Sequence, residues 1–283
     1  MQRIPAGGGW ANGDASFVGP NPTGEAVITY YQQKRHIFGD LKIEILDPDG
    51  KVVTTIPSSK RRGLNRATWS MRLKAPRVPT AASGAFGAVT GPRVLPGTYT
   101  VRMTKDKNVY TTKLVVTADP RSPHSAEDRK EQLSLTMKLY ALLGDMTYAV
   151  DRINSVRAAL QQRIQGLPTS DPLLTKLQTA QNQIDELRKK IVATKEGGAI
   201  TGEERLRENL ADLYGNVNFY EGRPSQTQIE RADAIARELA NVVKSFDDWL
   251  AKEMPTLNSD LAKAKLESIV PMTRSDWDKN HPE

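Results

Sequence analysis

Three histidines, His36, His124 and His281, are the only imidazoles in the chain, and none has a second histidine at the helical spacing that presents two ligands to a metal. His124 sits just ahead of a helix start and reads as a residue of that first turn rather than as a proton-transfer group. Cysteine is absent, which removes thiolate nucleophiles, cysteine metal sites and disulfides together, and leaves the redox compartment open. Neither a Gly-x-Ser-x-Gly elbow nor a phosphate-cradling Gly-x-x-x-x-Gly-Lys occurs. Asp47-Pro48-Asp49-Gly50 begins like a calcium loop, yet no bidentate Glu follows at the required distance and Pro48 suits a hairpin turn. The pairs Glu203-Glu204 and Asp247-Asp248 could in principle serve glycoside chemistry, but they fall on helical segments among solvent-facing neighbours. No catalytic residue, cofactor or metal is expected.

One cluster does carry chemistry. Lys60-Arg61-Arg62, with Arg66 and Arg72 close behind, could hold phosphate, an anionic polysaccharide or nucleic acid. No aromatic residue is interleaved within that run to stack on bases, so nucleic acid is not favoured over a solvated loop.

The elements that must position these residues fall into two classes, divided at Asp119-Pro120-Arg121-Ser122-Pro123. At 283 residues the chain is long enough for two domains, and 38% apolar with 26% charged residues is enough material for two cores, though 6% aromatics makes them lean. The net charge of +7 is unevenly shared. Residues 1–118 hold 17 Lys and Arg against 7 Asp and Glu, whereas the remainder holds 23 against 26. The first part is therefore +10 and the second −3, an asymmetry compatible with an acidic partner, with a solvated surface, or with attraction between the two halves. No apolar run is long enough to span a bilayer. The start, 1–19, lacks the basic and apolar stretches of a signal peptide and reads as a Gly, Pro and Asn-rich lead-in.

Between residues 20 and 118 apolar residues recur by twos. Ala26–Tyr31, Leu41–Ile45, Lys51–Ile56, Asn65–Arg72, Thr98–Met103 and Val109–Val116 read as strands, with hairpin turns at Asp47-Pro48-Asp49-Gly50 and Asp106-Lys107-Asn108. Ala67, Trp69 and Met71 share a face, as do Tyr99, Val101 and Met103. Trp69 is the expected centre of the core, where burial removes about 200 Å² from water, or about 5 kcal/mol before entropy is counted. Residues 75–92, rich in Pro, Ala and Gly, read as loop. Short strands with turns between them and no intervening helix describe an antiparallel sandwich.

The order Asp47-Pro48-Asp49-Gly50-Lys51, then Gly63-Leu64-Asn65-Arg66 leading to Trp69, then Pro96-Gly97-Thr98-Tyr99 resembles the immunoglobulin-like domain of the flagellar hook-capping protein and its relatives. With Tyr30-Tyr31, the run Lys34 to Asp40, Asp119-Pro120-Arg121 and the helical tail, the whole chain is similar to the C-terminal region of sortilin-type, BNR-repeat β-propeller proteins often labelled glycosyl hydrolases. That resemblance implies an exported bacterial protein, periplasmic or at the cell surface. Propeller blade signatures are missing, so no propeller activity is carried over to any residue here.

Past residue 124 the period changes to three and four. Ser125 is the expected cap of a helix running to Gln165 and ending at Gly166, with Leu139, Leu143, Met146, Val150, Ile153 and Leu160 along one face. Asp171-Pro172 restarts a second helix, closed by Gly197-Gly198. Thr201 with Glu204, and Ser225 with Gln228, have capping-box spacing ahead of two more apolar stripes. Pro255 is expected to break the last, leaving Leu257, Leu261 and Leu266 to a short closing helix before a polar tail containing Trp277.

The expected architecture is thus multidomain β plus α. A lead-in (1–19) precedes an antiparallel Ig-like β-sandwich (20–118), an antiparallel α-helical bundle (124–270) and a polar tail (271–283). The expected role is a non-catalytic structural and interaction module whose partner is a protein, or the upstream propeller of the same polypeptide. Two alternatives stand beside it: the accessory region of a glycoside hydrolase, and a basic-loop binder of an anionic cell-envelope polymer or nucleic acid.

Overall fold

The computed structural model describes residues 23–197 and 202–281. The lead-in 1–19, the turn residues Asn21 and Pro22, Gly198 and Thr201 lie outside the described residues. The described chain divides into two compact units. One holds residues 23–73 with Pro96–Ala118, and the other holds Lys74–Leu95 with residues 119–197 and 202–281.

The first unit contains six strands: β1 (Ala26–Gln32), β2 (Leu41–Leu46), β3 (Val52–Ile56), β4 (Gly63–Trp69), β5 (Gly97–Lys105) and β6 (Asn108–Val116). All pairings are antiparallel. β1 and β4 form a two-stranded sheet, and the other four follow the order β3-β2-β5-β6. The alternation of the sequence sets which side chains are inside. Tyr30, Ala67 and Trp69 from one sheet, and Leu41, Ile43, Ile45, Tyr99 and Val101 from the other, are buried. Trp69 is 2% exposed and meets the Tyr99 ring edge-on at 5.3 Å. The alternation extends its strand to Met71, but the strand ends at Trp69, whose Nε1 donates to the Arg72 carbonyl at 3.1 Å while Met71 turns through φ 57°.

Both turns form where the sequence places them. The Asp47 carboxylate accepts from the Asp49 and Lys51 amides at 3.0 and 2.8 Å, so its charge is used to close the hairpin. Glu44 departs from the alternation, since it is buried on the face opposite Ile43 and Ile45. Burial pushes its carboxyl up, and hydrogen bonds from Lys42 and Arg102 outweigh that, holding it below the usual carboxylate range.

The second unit is helical. α1 (Ala126–Gln165), α2 (Pro172–Ile191), α3 (Leu206–Phe219) and α4 (Gln226–Lys263) bury a common core that includes Leu139 and Val150, Leu177 and Ile184, Leu210 and Tyr214, and Phe246 and Leu261. The expected caps form. Ser125 and Asp128 make a reciprocal box at the start of α1, Asp171 accepts from the Leu173 amide ahead of α2, and Ser225 and Gln228 make a second box before α4. α3 starts later than Glu204, at Leu206, where the Glu208 carboxylate accepts from the Arg205 amide at 3.0 Å.

Three features differ from the sequence expectation. α2 stops at Ile191 rather than at Gly197, because Val192 and Ala193 run on in non-helical backbone and are almost fully buried. α4 continues through Pro255 without a break in the helix. Leu250, Met254, Leu257 and Leu261 stay at helical spacing across the proline and are all buried, and that apolar burial offsets the roughly 3 kcal/mol that an interior proline costs. The polar tail holds a fifth helix, α5 (Arg274–Asn280). Its Trp277 is 2% exposed, donates from Nε1 to Asp151 at 2.8 Å and stacks on His281, which explains why seven residues stay helical.

A further difference concerns residues 74–95. In the sequence this stretch is loop of the β part, yet it groups with the helices as a strap. Arg207 of α3, itself buried, donates to the Pro79 and Ser83 carbonyls at 2.7 and 3.0 Å. Tyr214 donates to the Thr90 carbonyl at 2.8 Å, Asn218 to that of Gly91 at 3.2 Å, and the Ala82 amide to that of Ala193 at 3.3 Å. The strap's single 3₁₀ turn, Phe86–Ala88, buries Ala88 in the helical core. Backbone polar groups that no sheet or helix satisfies are thus paired by α3 side chains.

Candidate interaction surface

The β1–β4 sheet has an inner face of Tyr30, Gln32, Asn65, Ala67 and Trp69, all buried. By period two its outer face carries Val27, Thr29 and Tyr31 on β1 and Leu64, Arg66 and Thr68 on β4. The register places Tyr31 opposite Leu64 and Thr29 opposite Arg66. Tyr31 and Leu64 are 66% and 69% exposed, so a cross-strand apolar pair stands in solvent beside a guanidinium.

Two loops border this face. Residues 57–62 lead into β4 and carry Lys60, Arg61 and Arg62, all exposed. They are clamped to β1. The Tyr30 hydroxyl donates to the Ser59 carbonyl at 2.7 Å and accepts from the Ser59 amide at 2.6 Å, while Gln32 donates to the same carbonyl at 2.9 Å. Burial pushes the Tyr30 hydroxyl above its ordinary pKa, partly countered by the Ser59 bond, which keeps it a neutral donor. Asn65 fixes the turn into β4 by donating to the Arg61 and Gly63 carbonyls, both at 2.9 Å.

The second loop, residues 33–40, follows β1 and is tied to the first. The His36 amide donates to the Lys60 carbonyl at 2.9 Å, and the Lys60 ammonium donates to the Gly39 carbonyl at 2.7 Å. Gly39 has φ +84°, a backbone conformation that favours glycine, and a Cβ there would displace the Asp106 carboxylate, which lies 2.0 Å from that position. With the loop's base held, its tip projects. Ile37 is 66% and Phe38 85% exposed, flanked by exposed Lys34 and Arg35.

The structure therefore brings Lys60, Arg61, Arg62 and Arg66 together and adds Lys34 and Arg35. Among the described residues none of these six forms an ion pair. Arg72 does not join them. It lies past the far end of β4, about 20 Å along a seven-residue strand, and is half-buried with its carbonyl on Trp69. The aromatic partners that the basic run lacks in its own sequence come from β1 and the following loop, as Tyr31 and Phe38. The signal that could have found them was the β1–β4 pairing, which brings residues about thirty positions apart onto one face.

Most of the remaining chemical candidates are engaged in structure. His36 is buried with Nε2 3.6 Å from the Asp106 carboxylate and, among the described residues, without a hydrogen-bond partner, His124 packs edge-on against Tyr220, and His281 stacks on Trp277. Glu203 accepts from the Thr194 amide at 2.7 Å and pairs with Arg205. Those bonds, that of Thr194 first, hold its carboxyl down to about 2. Asp247 pairs with Arg152 and Asp248 with Lys244. A crevice of about 280 Å³ between α1 and α4 is lined by Tyr148, Leu239 and Phe246, but its guanidiniums, Arg152 and Arg274, are committed to Asp247 and to Asp145 with Asp278.

Among the described residues no group of three or more His, Asp or Glu is placed to hold a metal ion, and no helix is long and apolar enough to cross a membrane. No family model, curated protein or solved structure matches the chain.

Proposed function

We propose that the chain is a non-catalytic interaction module that engages an anionic partner through the outer face of β1–β4 and the loops 33–40 and 57–62. In this proposal the first unit is an Ig-like sandwich, the second an antiparallel helical bundle, and the whole an accessory region of an exported propeller-type protein. The observation that carries the reading is the grouping of six exposed cations without a carboxylate partner around four exposed apolar side chains. Like charges carried on one face and its bordering loops raise the energy of the solvated surface, and an anionic partner lowers it. The clamps from Tyr30, Gln32, Asn65 and Lys60 hold the loop backbone that carries the cations in place ahead of binding, which limits the backbone entropy lost when a partner docks.

Retention on immobilised heparin, a generic polyanion, tests this. The chain is expected to bind at low salt and to elute as salt rises. Lys60→Ala with Arg61→Ala and Arg62→Ala is expected to elute far earlier, while Arg72→Ala elutes with the wild type. Absence of retention at low salt, or equal loss from Arg72→Ala, overturns the proposal.

A further inference from the structure

We infer that the anionic partner is a lipid bilayer surface, onto which this face docks peripherally with Ile37 and Phe38 entering the headgroup region. The inference rests on the interaction face proposed above and adds the identity of its partner. Cations alone would suit any polyanion. What separates the candidates is the apolar part of the face. Ile37, Phe38, Tyr31 and Leu64 are each at least 66% exposed, and two of them are aliphatic, with no polar atom to recognise a sugar or a peptide. A soluble polyanion would leave these side chains in water. The interface of a bilayer takes up both features at once, because the acyl boundary accepts Ile37 and Phe38 while the phosphates meet Lys34, Arg35, Lys60, Arg61, Arg62 and Arg66.

The shape agrees with that division. Phe38 stands at the tip of a loop whose base is held by Gly39, His36 and Lys60, so it projects instead of folding back. A projecting knuckle needs a pocket in a protein partner but none in a fluid interface. A second copy of this chain is disfavoured by charge, since it would bring two sets of six cations face to face. Tyr31 on the adjoining sheet face is amphipathic, the type of side chain that settles at headgroup level.

Flotation of the full chain with vesicles tests the inference. The probes are phosphatidylcholine vesicles alone and the same vesicles with about one third phosphatidylglycerol, enough for a surface potential. Binding is expected only to the anionic vesicles and is expected to weaken with salt. The triple variant of Lys60, Arg61 and Arg62 to alanine is expected to lower the partition constant about a hundredfold. Ile37→Ser with Phe38→Ser is expected to lower it about tenfold or more, and to do so at every salt concentration. All five positions are exposed, so an unchanged melting curve confirms that each variant is folded.

Three outcomes separate the claims. Retention on heparin that the triple variant abolishes, with no flotation on anionic vesicles, would overturn the lipid inference and leave the interaction face standing. Flotation that survives Ile37→Ser with Phe38→Ser unchanged would overturn it too. If the unsubstituted chain binds neither heparin nor anionic vesicles at low salt, the face itself is removed.

Discussion

Gly215 lies inside α3 and Gly144 inside α1, so intrinsic helix preference gives alanine the same advantage at both, about 1 kcal/mol. Their surroundings differ. A Cβ on Gly144 meets nothing within 4 Å, whereas one on Gly215 falls 2.8 Å from the Gly87 Cα and 3.0 Å from its carbonyl oxygen. The strap thus crosses α3 at a glycine on each side. Neither neighbour is a flexible side chain, so the backbone itself must retreat, and overpacking of that kind costs about 1–3 kcal/mol. Retreat also stretches the bonds from Tyr214 to Thr90 and from Asn218 to Gly91, which contribute about 1 kcal/mol each. Set against the helix gain, Gly215→Ala should lose about 1–2 kcal/mol while Gly144→Ala gains about 0.5–1 kcal/mol.

Urea unfolding followed by helical ellipticity reads both variants, with an unchanged slope showing that the midpoint shift is one of stability. Opposite shifts are the expected result. If the two midpoints rise together, residues 74–95 are not seated on α3 and their assignment to the helical unit is wrong.

Three further outcomes follow from the same structure. Trp69→Ala should cost about 3–5 kcal/mol and unfold the β unit, measured as loss of amide exchange protection in β2 and β5. The Glu203 carboxyl lies below its ordinary 4.5, at about 2. Its contribution is therefore complete above pH 4.5 and is lost as pH falls toward 2, so protection of the Thr194 amide should decay across that window in the wild type, whereas Glu203→Gln, whose neutral amide oxygen still accepts but does not titrate, should give weaker protection with no such decay. Tyr30→Phe keeps every charge yet leaves the Ser59 amide without its acceptor, at a cost of about 1–3 kcal/mol, and should loosen loop 57–62 and weaken heparin retention.

What the sequence made legible was local. Period two in Leu41–Ile45 and Asn65–Trp69, the hairpin at Asp47-Pro48-Asp49-Gly50, and the caps at Ser125, Asp171 and Ser225 involve residues within a few positions of one another, where steric and hydrogen-bond preferences act alone. The strap was not legible for the opposite reason. Its carbonyls at Pro79, Ser83, Thr90 and Gly91 are paired by Arg207, Tyr214 and Asn218, more than a hundred residues on. Such a segment needs no period, and Pro, Ala and Gly serve it because they let its backbone approach α3 closely. Pro255 misled in a related way: local chemistry argues for a stop, but the buried positions on either side of it outweigh one missing hydrogen bond.

The candidate site shows the same limit acting on function. Lys60, Arg61, Arg62 and Arg66 are legible as a run of charge, and Arg72 reads as part of it because distance along a sequence is a fair guide within a loop. In a strand it is not. Each residue of β4 advances about 3.3 Å, so Arg72 is carried away from the cluster, while the antiparallel partner carries Tyr31 back to it. A basic run that looked bare of aromatics therefore acquires Tyr31 through strand pairing and Phe38 through the loop that Lys60 buttresses. Charge was written in one place and apolar contact in another, and only the β1–β4 register joins them into a surface with a chemical preference.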